Sequence, residues 1–407
     1  MQEYLGEIMS KVKVKVVIGA NYGDEGKGLA TDYFSKQAKE SGEKALNILF
    51  NGSCQRGHTV ELPNGERHVF HHFGSGTLQG ADTYFDRNFI VNPIFFVNEY
   101  IELQKKKICY TPKVYIHSDC RLATPFDSII NQIVELSRGE NRHGSCGFGV
   151  WETQKRYENK MWNIPYGKLI FAPRWIKKHY LSLVAQKYVP ERLKEYGIIS
   201  IPTQYQKYIS DKTFIDNLID RYLYDLDLMH QICELATFKE IQLKYNYIIF
   251  EGAQGLMLDE DNVTEYPNVT ASSTTPIIPL RLIKGYNYDV EVCYITRSYL
   301  TRHGAGKFPQ ECKKEEINPA IEDKTNLYNS SQGHIRYGKL DIDEFIDRVN
   351  NSISKSKEII PDIKTSVFCT HLNYVNVDEL KPSFHLFDKK YLSNTKYADD
   401  VIKDYSW

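Results

Sequence analysis

The sequence predicts an α/β fold with a large, mostly parallel central sheet flanked by helices. Three observations carry that expectation. The stretch VKVKVVIGA (residues 12–20) alternates and then turns wholly apolar, as a strand does on entering a sheet covered on both faces. A glycine-rich turn, GDEGKG (23–28), follows, and GLATDYFSKQAKESG (28–42) then runs at helical spacing. The passage from apolar run to glycine turn recurs at YNYIIFEGAQG (245–255). Strand, glycine turn and helix in that order begin a parallel α/β unit.

The other elements follow in chain order. ALNILFN (45–51) reads as a second strand. FIVNPIFFVNEYIELQKK (89–106) reads as a strand, a turn at Pro93 and a helix. KVYIHSD (113–119) is a short strand. Residues 157–245 are rich in Tyr, Lys, Leu and Ile at helical spacing, with few glycines. They predict a mainly helical insertion, with YLSLVAQKYVPERLKEYG (180–197) as one helix. VEVCYITRSYL (290–300) and SVFCTHL (366–372) are later strands. With no internal repeat and no low-complexity linker, residues 1–407 are expected to form a single α/β domain that carries this insertion.

Composition narrows the function classes. Hydrophobic residues make up 42% and charged residues 25% of the chain, enough for a sizeable core. A net charge of −1 gives bulk charge no role in binding nucleic acid or a membrane. The 8 Cys are scattered without a C-x-x-C pair, which fits reduced thiols. The N-terminus has no apolar signal core and no window holds 18 consecutive apolar residues, so a cytoplasmic protein is expected.

The loops carry the chemistry. A Walker A loop needs G-x-x-x-x-G-K-[ST]. Here Lys27 follows Gly26, but the position five before Gly26 is Asn21, and Gly28 follows Lys27. The motif fails at both ends and lacks the Mg²⁺-binding hydroxyl. Close glycines at a helix N-terminus still let backbone N–H groups approach a phosphate. Asp24 could replace the hydroxyl as a Mg²⁺ ligand, or take a proton from a substrate ring nitrogen. The plain alternative is a tight turn with solvated acids.

NGSCQRGHTVEL (51–62) presents His58 after Gly57, although a lone His is most often structural. EGAQGLMLDEDNVTEYPNVTASSTTP (251–276) is dense in hydrogen-bonding groups, and its Gln254 and Thr270 could grip a small polar ligand. HGSCGFGVWETQKR (143–156) could wrap a phosphate. LTRHGAGKFPQE (300–311) sets two glycines between basic residues. NSSQGHIRYGKLD (329–341), with His334 and Arg336, suits carboxylate capture, because Arg binds carboxylate bidentately. The bland reading of each is a solvated surface loop. Neither a Ser-His-Asp motif nor zinc-spaced Cys and His are visible.

Taken in order, these loops resemble the adenylosuccinate synthetase family. GDEGKG (23–28), GHTV (57–60), EGAQG (251–255), YPNVTASSTT (266–275) and TRHGAGKFPQE (301–311) carry the resemblance, which spans roughly residues 12–400 and is weak over 157–245. It implies a ligase that joins L-aspartate to a 6-oxopurine nucleotide, normally IMP, with GTP and Mg²⁺. Asp24 would take the N1 proton and ligate Mg²⁺, with the Gly57 carbonyl as a second ligand. His58 would protonate the departing oxygen side. Lys27, with Gly23, Gly26 and Gly28, would hold the transferring phosphates. Glu25 belongs to the same nucleotide-binding turn without a firm role. Gln55, Thr59, Gln254 and Thr270 fall at nucleotide-binding positions, Gln55 standing where the family usually has Asn. A homodimer is implied, with one basic residue reaching into the neighbour's site; Arg156 is the candidate, and Lys155 lies beside it.

Three loops depart from the family. The guanine-reading TKLD becomes THLN (370–373), which places His371 and Asn373 where Lys and Asp are usual. An Asn offers guanine one acceptor, so this change weakens the case for GTP and favours ATP or a relaxed preference. The arginine-rich aspartate loop becomes SSQGHIR, leaving Ser330, Ser331, His334 and Arg336 as aspartate-binding candidates. GTTGRG becomes GSCGFG (144–149), with Ser145 and Cys146 as phosphate-loop residues. These departures resemble a phage branch that acts on dGMP in a diaminopurine pathway. Retention of Asp24 favours IMP; dGMP with ATP is the alternative substrate pair. A catalytically weak nucleotide-binding sensor is the reading from another class.

Overall fold

The computed structural model describes residues 11–106, 112–323, 326, 328 and 332–404. Ten strands form one sheet: β1 (Val12–Gly19), β2 (Ala45–Leu49), β3 (Asp82–Phe85), β4 (Val114–Ile116), β5 (Cys233–Leu235), β6 (Tyr247–Gly255), β7 (Tyr288–Arg297), β8 (Lys364–Thr370), β9 (Lys389–Leu392) and β10 (Ile402–Asp404). Their spatial order is β10-β9-β8-β7-β1-β6-β2-β3-β4-β5. Every pairing is parallel except β9 with β10.

Strand β1 lies at the middle, between β6 and β7. Its side chains alternate between two cores. Val14, Val16 and Ile18 join one, and Val17 joins the other with Leu29, Phe34 and Ala38 of helix α1 (Lys27–Glu40). Each such buried side chain contributes about 1.5–3 kcal/mol of transfer energy. Gly26 caps α1 with φ 99°, and a Cβ there would come 2.8 Å from Thr370 Cγ2. Only glycine fits that left-handed position without strain.

Pro93 does not make a turn. It is the first residue of helix α2 (Pro93–Lys105), whose cap is the Asn92 side chain accepting from Ile94 N and Phe95 N. Proline suits this position, because its missing N–H has no helical partner there anyway. Residues 180–197 are not one regular helix either. An α-helix ends at Leu183, a π-helical stretch spans Val184–Tyr188, and Val189–Glu195 resumes the α-helix. Pro190 lacks the N–H that would close the regular ladder here, which accounts for the wider turn. Residues 157–245 contribute helices, the longest α4 (Lys212–Ile232), and also strand β5 at the sheet edge. A third core packs α2, α3 (Pro125–Ser137) and α4 together through Phe96, Ile130 and Leu223.

Candidate active site

Parallel α/β sheets bind ligands beyond the carboxyl ends of their strands, where connections diverge. This sheet does so around β1. A cleft of about 540 Å³ is lined by Gly23, Asp24, Gln55, Arg56, Gly57 and His58 after β1 and β2. Gln254 near the end of β6 and Thr270 beyond it close it, and Ser145 and Cys146 come from the loop after α3. Four loops far apart in sequence thus meet at one place.

Asp24 anchors the floor. Its Oδ2 accepts from Arg297 Nη2 at 2.7 Å and from Asn326 Nδ2 at 2.8 Å. Burial raises its pKa, but Arg297 and the neighbouring cations outweigh that and hold it below the usual carboxylate range. Among the described residues the hydrogen bonds fall on Oδ2, leaving Oδ1 for a ligand. Lys27 is buried and folds back to donate to the Gly23 carbonyl, 4.0 Å from Glu25. Burial lowers its pKa.

Glu25 acquires a structural role. It accepts from the Asn21 N–H and so ties the turn closed. Burial pushes its carboxyl up to about 7. It points into the loop rather than the cleft: a Cβ on Gly19 would collide with its Oε2 at 2.3 Å.

His58 is not a solvated histidine. Its Nδ1–H donates to Glu251 Oε1 at 2.6 Å, and the same oxygen lies 3.0 Å from Arg56 Nη2. Ser75 donates its N–H to the other oxygen at 3.0 Å. Burial alone would raise the Glu251 pKa; Arg56 and His58 instead carry it down to about 2. An ionised Glu251 fixes the Nδ1–H tautomer, which turns Nε2 of His58 toward the cleft. Burial, then Arg56, lowers the His58 pKa to about 4.

Gln254 has φ 63° and His371 φ 61°, the two non-glycine residues with positive φ among those described. Such a conformation costs about 1–3 kcal/mol and persists where the surroundings enforce it. Both residues sit at strand ends beside the cleft or its approach. His371 lies outside the cleft lining, stacked on Tyr374 and edge-on to Tyr299. Burial lowers its pKa to about 3. Asn373 is exposed next to it.

Several expected residues stand elsewhere. Arg156 does not reach outward: it is 1% exposed and pairs with Asp127 at 2.9 Å. It also donates to Tyr180 Oη and the Leu122 carbonyl. A buried guanidinium needs such partners, so this arginine is tied into its own core. Lys155 pairs with Glu158 on the same helix. Arg336 grips Glu311 in a bidentate pair at 2.8 and 2.6 Å and donates to the Gly306 carbonyl, closing its own loop. His334 is exposed beside Tyr328. Ser330 and Ser331 lie outside the described residues. Gly28, in the first turn of α1, packs against the short strand His58–Glu61, and Thr59 lies one residue past the lining. Ser145 Oγ exchanges hydrogen bonds with Asn131, and burial pushes the Cys146 thiol up to about 11.

Sequence reasoning passed over Arg56, Glu251, Arg297, His303 and Asn326. Arg56 and Glu251 stood inside the quoted loops, where an arginine before GHTV and a carboxylate ending an apolar strand were available signals. Nothing local marks Arg297 or Asn326; only the fold carries them to Asp24.

Residues 16–359 match the family model described as adenylosuccinate synthetase. The chain belongs to the adenylosuccinate synthetase family. Members of this family are ligases that form C–N bonds. The adenylosuccinate synthetase of Azotobacter vinelandii is 29% identical over 327 residues, covering 79% of this chain and 70% of that protein. The Proteus mirabilis protein of the same name is 28% identical over 333 residues, covering 80% and 71%. Two solved structures share the fold. Fully ligated adenylosuccinate synthetase from Plasmodium falciparum has a TM-score of 0.62 at 20% identity, over 97% of this chain and 87% of that one. Cyanophage S-2L succinoaminodeoxyadenylate synthetase, bound to dGMP and dATP, also has a TM-score of 0.62, at 14% identity over 97% and 96%.

Proposed function

We propose that this adenylosuccinate synthetase family member condenses L-aspartate with a 6-oxopurine nucleoside monophosphate, IMP being favoured, through a 6-phosphoryl intermediate. The observation that carries the reading is the meeting of Asp24, Gly57, His58, Gln55, Gln254 and Thr270 in one cleft. Asp24 takes the N1 proton. The purine O6 attacks the γ-phosphorus as the bond to the β,γ-bridging oxygen breaks, and the nucleoside diphosphate leaves with that electron pair. The aspartate amine then bonds to C6 and loses a proton, while phosphate departs from C6. His58, oriented by Glu251, presents Nε2 to the oxygen that changes bonding. Charge developing on the phosphoryl group calls for fixed cations and backbone N–H groups.

Mg²⁺ fits this cleft. No three His, Cys, Asp or Glu side chains gather as a cage among the described residues. Mg²⁺ bound with substrate phosphates needs only one or two protein oxygens. Asp24 Oδ1 and the Gly57 carbonyl would hold it. When bound it would supply positive charge against the charge developing on the transferring phosphates.

One observation favours a second reading, the same chemistry on dGMP to give N6-succino-2-aminodeoxyadenylate. Arg297 and Asn326 hold Asp24 ionised, which weakens it as a base while keeping it an acceptor for guanine N1–H and the 2-amino group. The exposed Asn373 amide, a donor beside an acceptor, complements adenine, so ATP is the favoured triphosphate in either reading. Incubating the protein with aspartate, Mg²⁺, and IMP or dGMP crossed with ATP or GTP tests both. Succinyl-purine absorbance with one monophosphate selects it. Absence of product in all four mixtures sinks the ligase reading and leaves the sensor.

A further inference from the structure

Arg56 carries chemistry that the family resemblance did not assign. Its side chain is 1% exposed and lines the cleft between Gln55 and His58. Nη2 is spent on Glu251 at 3.0 Å and on the Phe73 carbonyl at 3.3 Å. Nε and Nη1 are buried without a hydrogen-bond partner among the described residues. A fully charged guanidinium with donors left unspent in a closed site is an anion site awaiting its anion.

The surroundings narrow which anion. Glu251 is shared among Arg56, His58 and Ser75 and engages Arg56 through Nη2, which leaves Nε and Nη1 without a partner among the described residues. Arg56 lines the same cleft as Asp24 and His58, and its charge is felt at both His58 and Lys27. The carboxylate-capturing candidates Arg336 and His334 lie off the cleft lining.

The geometry points to Arg56 as a catalytic residue that donates through Nε and Nη1 to the phosphoryl group in transfer. This rests on the ligase reading above. As the O6–P bond forms and the P–O bond to the diphosphate breaks, charge spreads over the equatorial oxygens, and a fork-shaped cation supplied within the chain stabilises it. No proton moves to or from Arg56.

Arg56→Ala and Arg56→Lys test the assignment. Arg56→Ala should lower kcat by about 100-fold or more, with KM for aspartate and for the monophosphate within about threefold. Added guanidinium ion should restore at least about tenfold of that loss, which a merely structural arginine would not allow. Arg56→Lys keeps the charge but not the fork, and should still lose about tenfold while melting as the wild type does. A second readout needs no turnover: calorimetric affinity for vanadate with Mg²⁺ and ADP or GDP, at saturating monophosphate, should fall about tenfold in Arg56→Ala. Wild-type kcat in Arg56→Lys, a kcat loss that guanidinium leaves unrescued, or unchanged vanadate affinity would each overturn the assignment. If Arg56→Ala does not fold, Arg56→Lys decides by kcat and vanadate affinity. A wild type that binds vanadate but makes no succinyl purine sinks the ligase reading alone, because the binding comparison still judges Arg56.

Discussion

Two buried glutamates stand on the two strands that flank β1 in this sheet. Glu251 lies midway along β6, and Glu291 nearer the amino end of β7. Both carboxyls are pulled down to about 2 against the push of burial. Their partners differ in kind. Glu291 is gripped by Lys15 at 2.7 Å, Lys389, Ser366 at 2.8 Å and Tyr391 at 3.0 Å, all side chains of the sheet itself. Glu251 is held by Arg56, His58 and Ser75, and two of these line or face a cleft. Around Glu251 the Nε and Nη1 of Arg56 have no hydrogen-bond partner among the described residues. A closed network fastens strands together. An incompletely satisfied one marks where a ligand is meant to complete it.

The largest expected effect lies just off this pair. Asp24→Asn should reduce succinyl-purine formation by about 1,000-fold or more, since the amide neither takes a proton nor ligates a cation well. Turnover at wild-type rate would remove Asp24 from its proposed role. Glu251→Gln should lower kcat by about 100-fold through loss of His58 orientation, and also lower stability by about 3 kcal/mol by leaving Arg56 short of its counter-charge. Glu291→Gln should match or exceed that destabilisation, about 3–5 kcal/mol, yet leave kcat near wild type below the melting temperature. Equal kcat losses in the two glutamine variants would erase the contrast drawn between them.

Acid unfolding sharpens the comparison. A carboxyl at about 2 in the folded state and near 4.5 unfolded contributes stability above the unfolded value, which is lost as pH falls from about 4.5 toward 2. Each glutamine variant should therefore unfold less steeply than the wild type across that window in a pH-resolved denaturation series. The smallest effect belongs to Tyr391→Phe, which removes one hydrogen bond to Glu291 and should cost about 1 kcal/mol with no change in kcat.

How much was legible depended on distance along the chain. The GDEGKG turn read correctly as the loop after a strand, because apolar runs and glycine spacing are local signals. EGAQG instead lies inside β6, and His58–Glu61 forms a short strand paired with Arg67–Phe70, because pairing across strands extends backbone that glycines alone mark as a turn. Pro93 misled as a turn, since a proline breaks a helix or begins one according to the residue before it; Asn92 was the cap that decided. Arg156 looked like an outward cation, but its partner Asp127 stands 29 residues away and binds it inside. Arg336 looked free for carboxylate capture; Glu311 takes it.

By itself the sequence determined the central strands β1, β2, β6, β7 and β8, the opening glycine turn and the family to which their order belongs. Periodicity and backbone permissiveness act within a few residues and leave their mark in the letters. Tertiary structure alone decided which charges face one another. It set Arg297, 273 positions from Asp24, against that carboxylate, and Glu251, 193 positions from His58, behind that imidazole. Ionisation and donor direction depend on burial and on the nearest opposite charge, and parallel strands bring those together only once the sheet is closed.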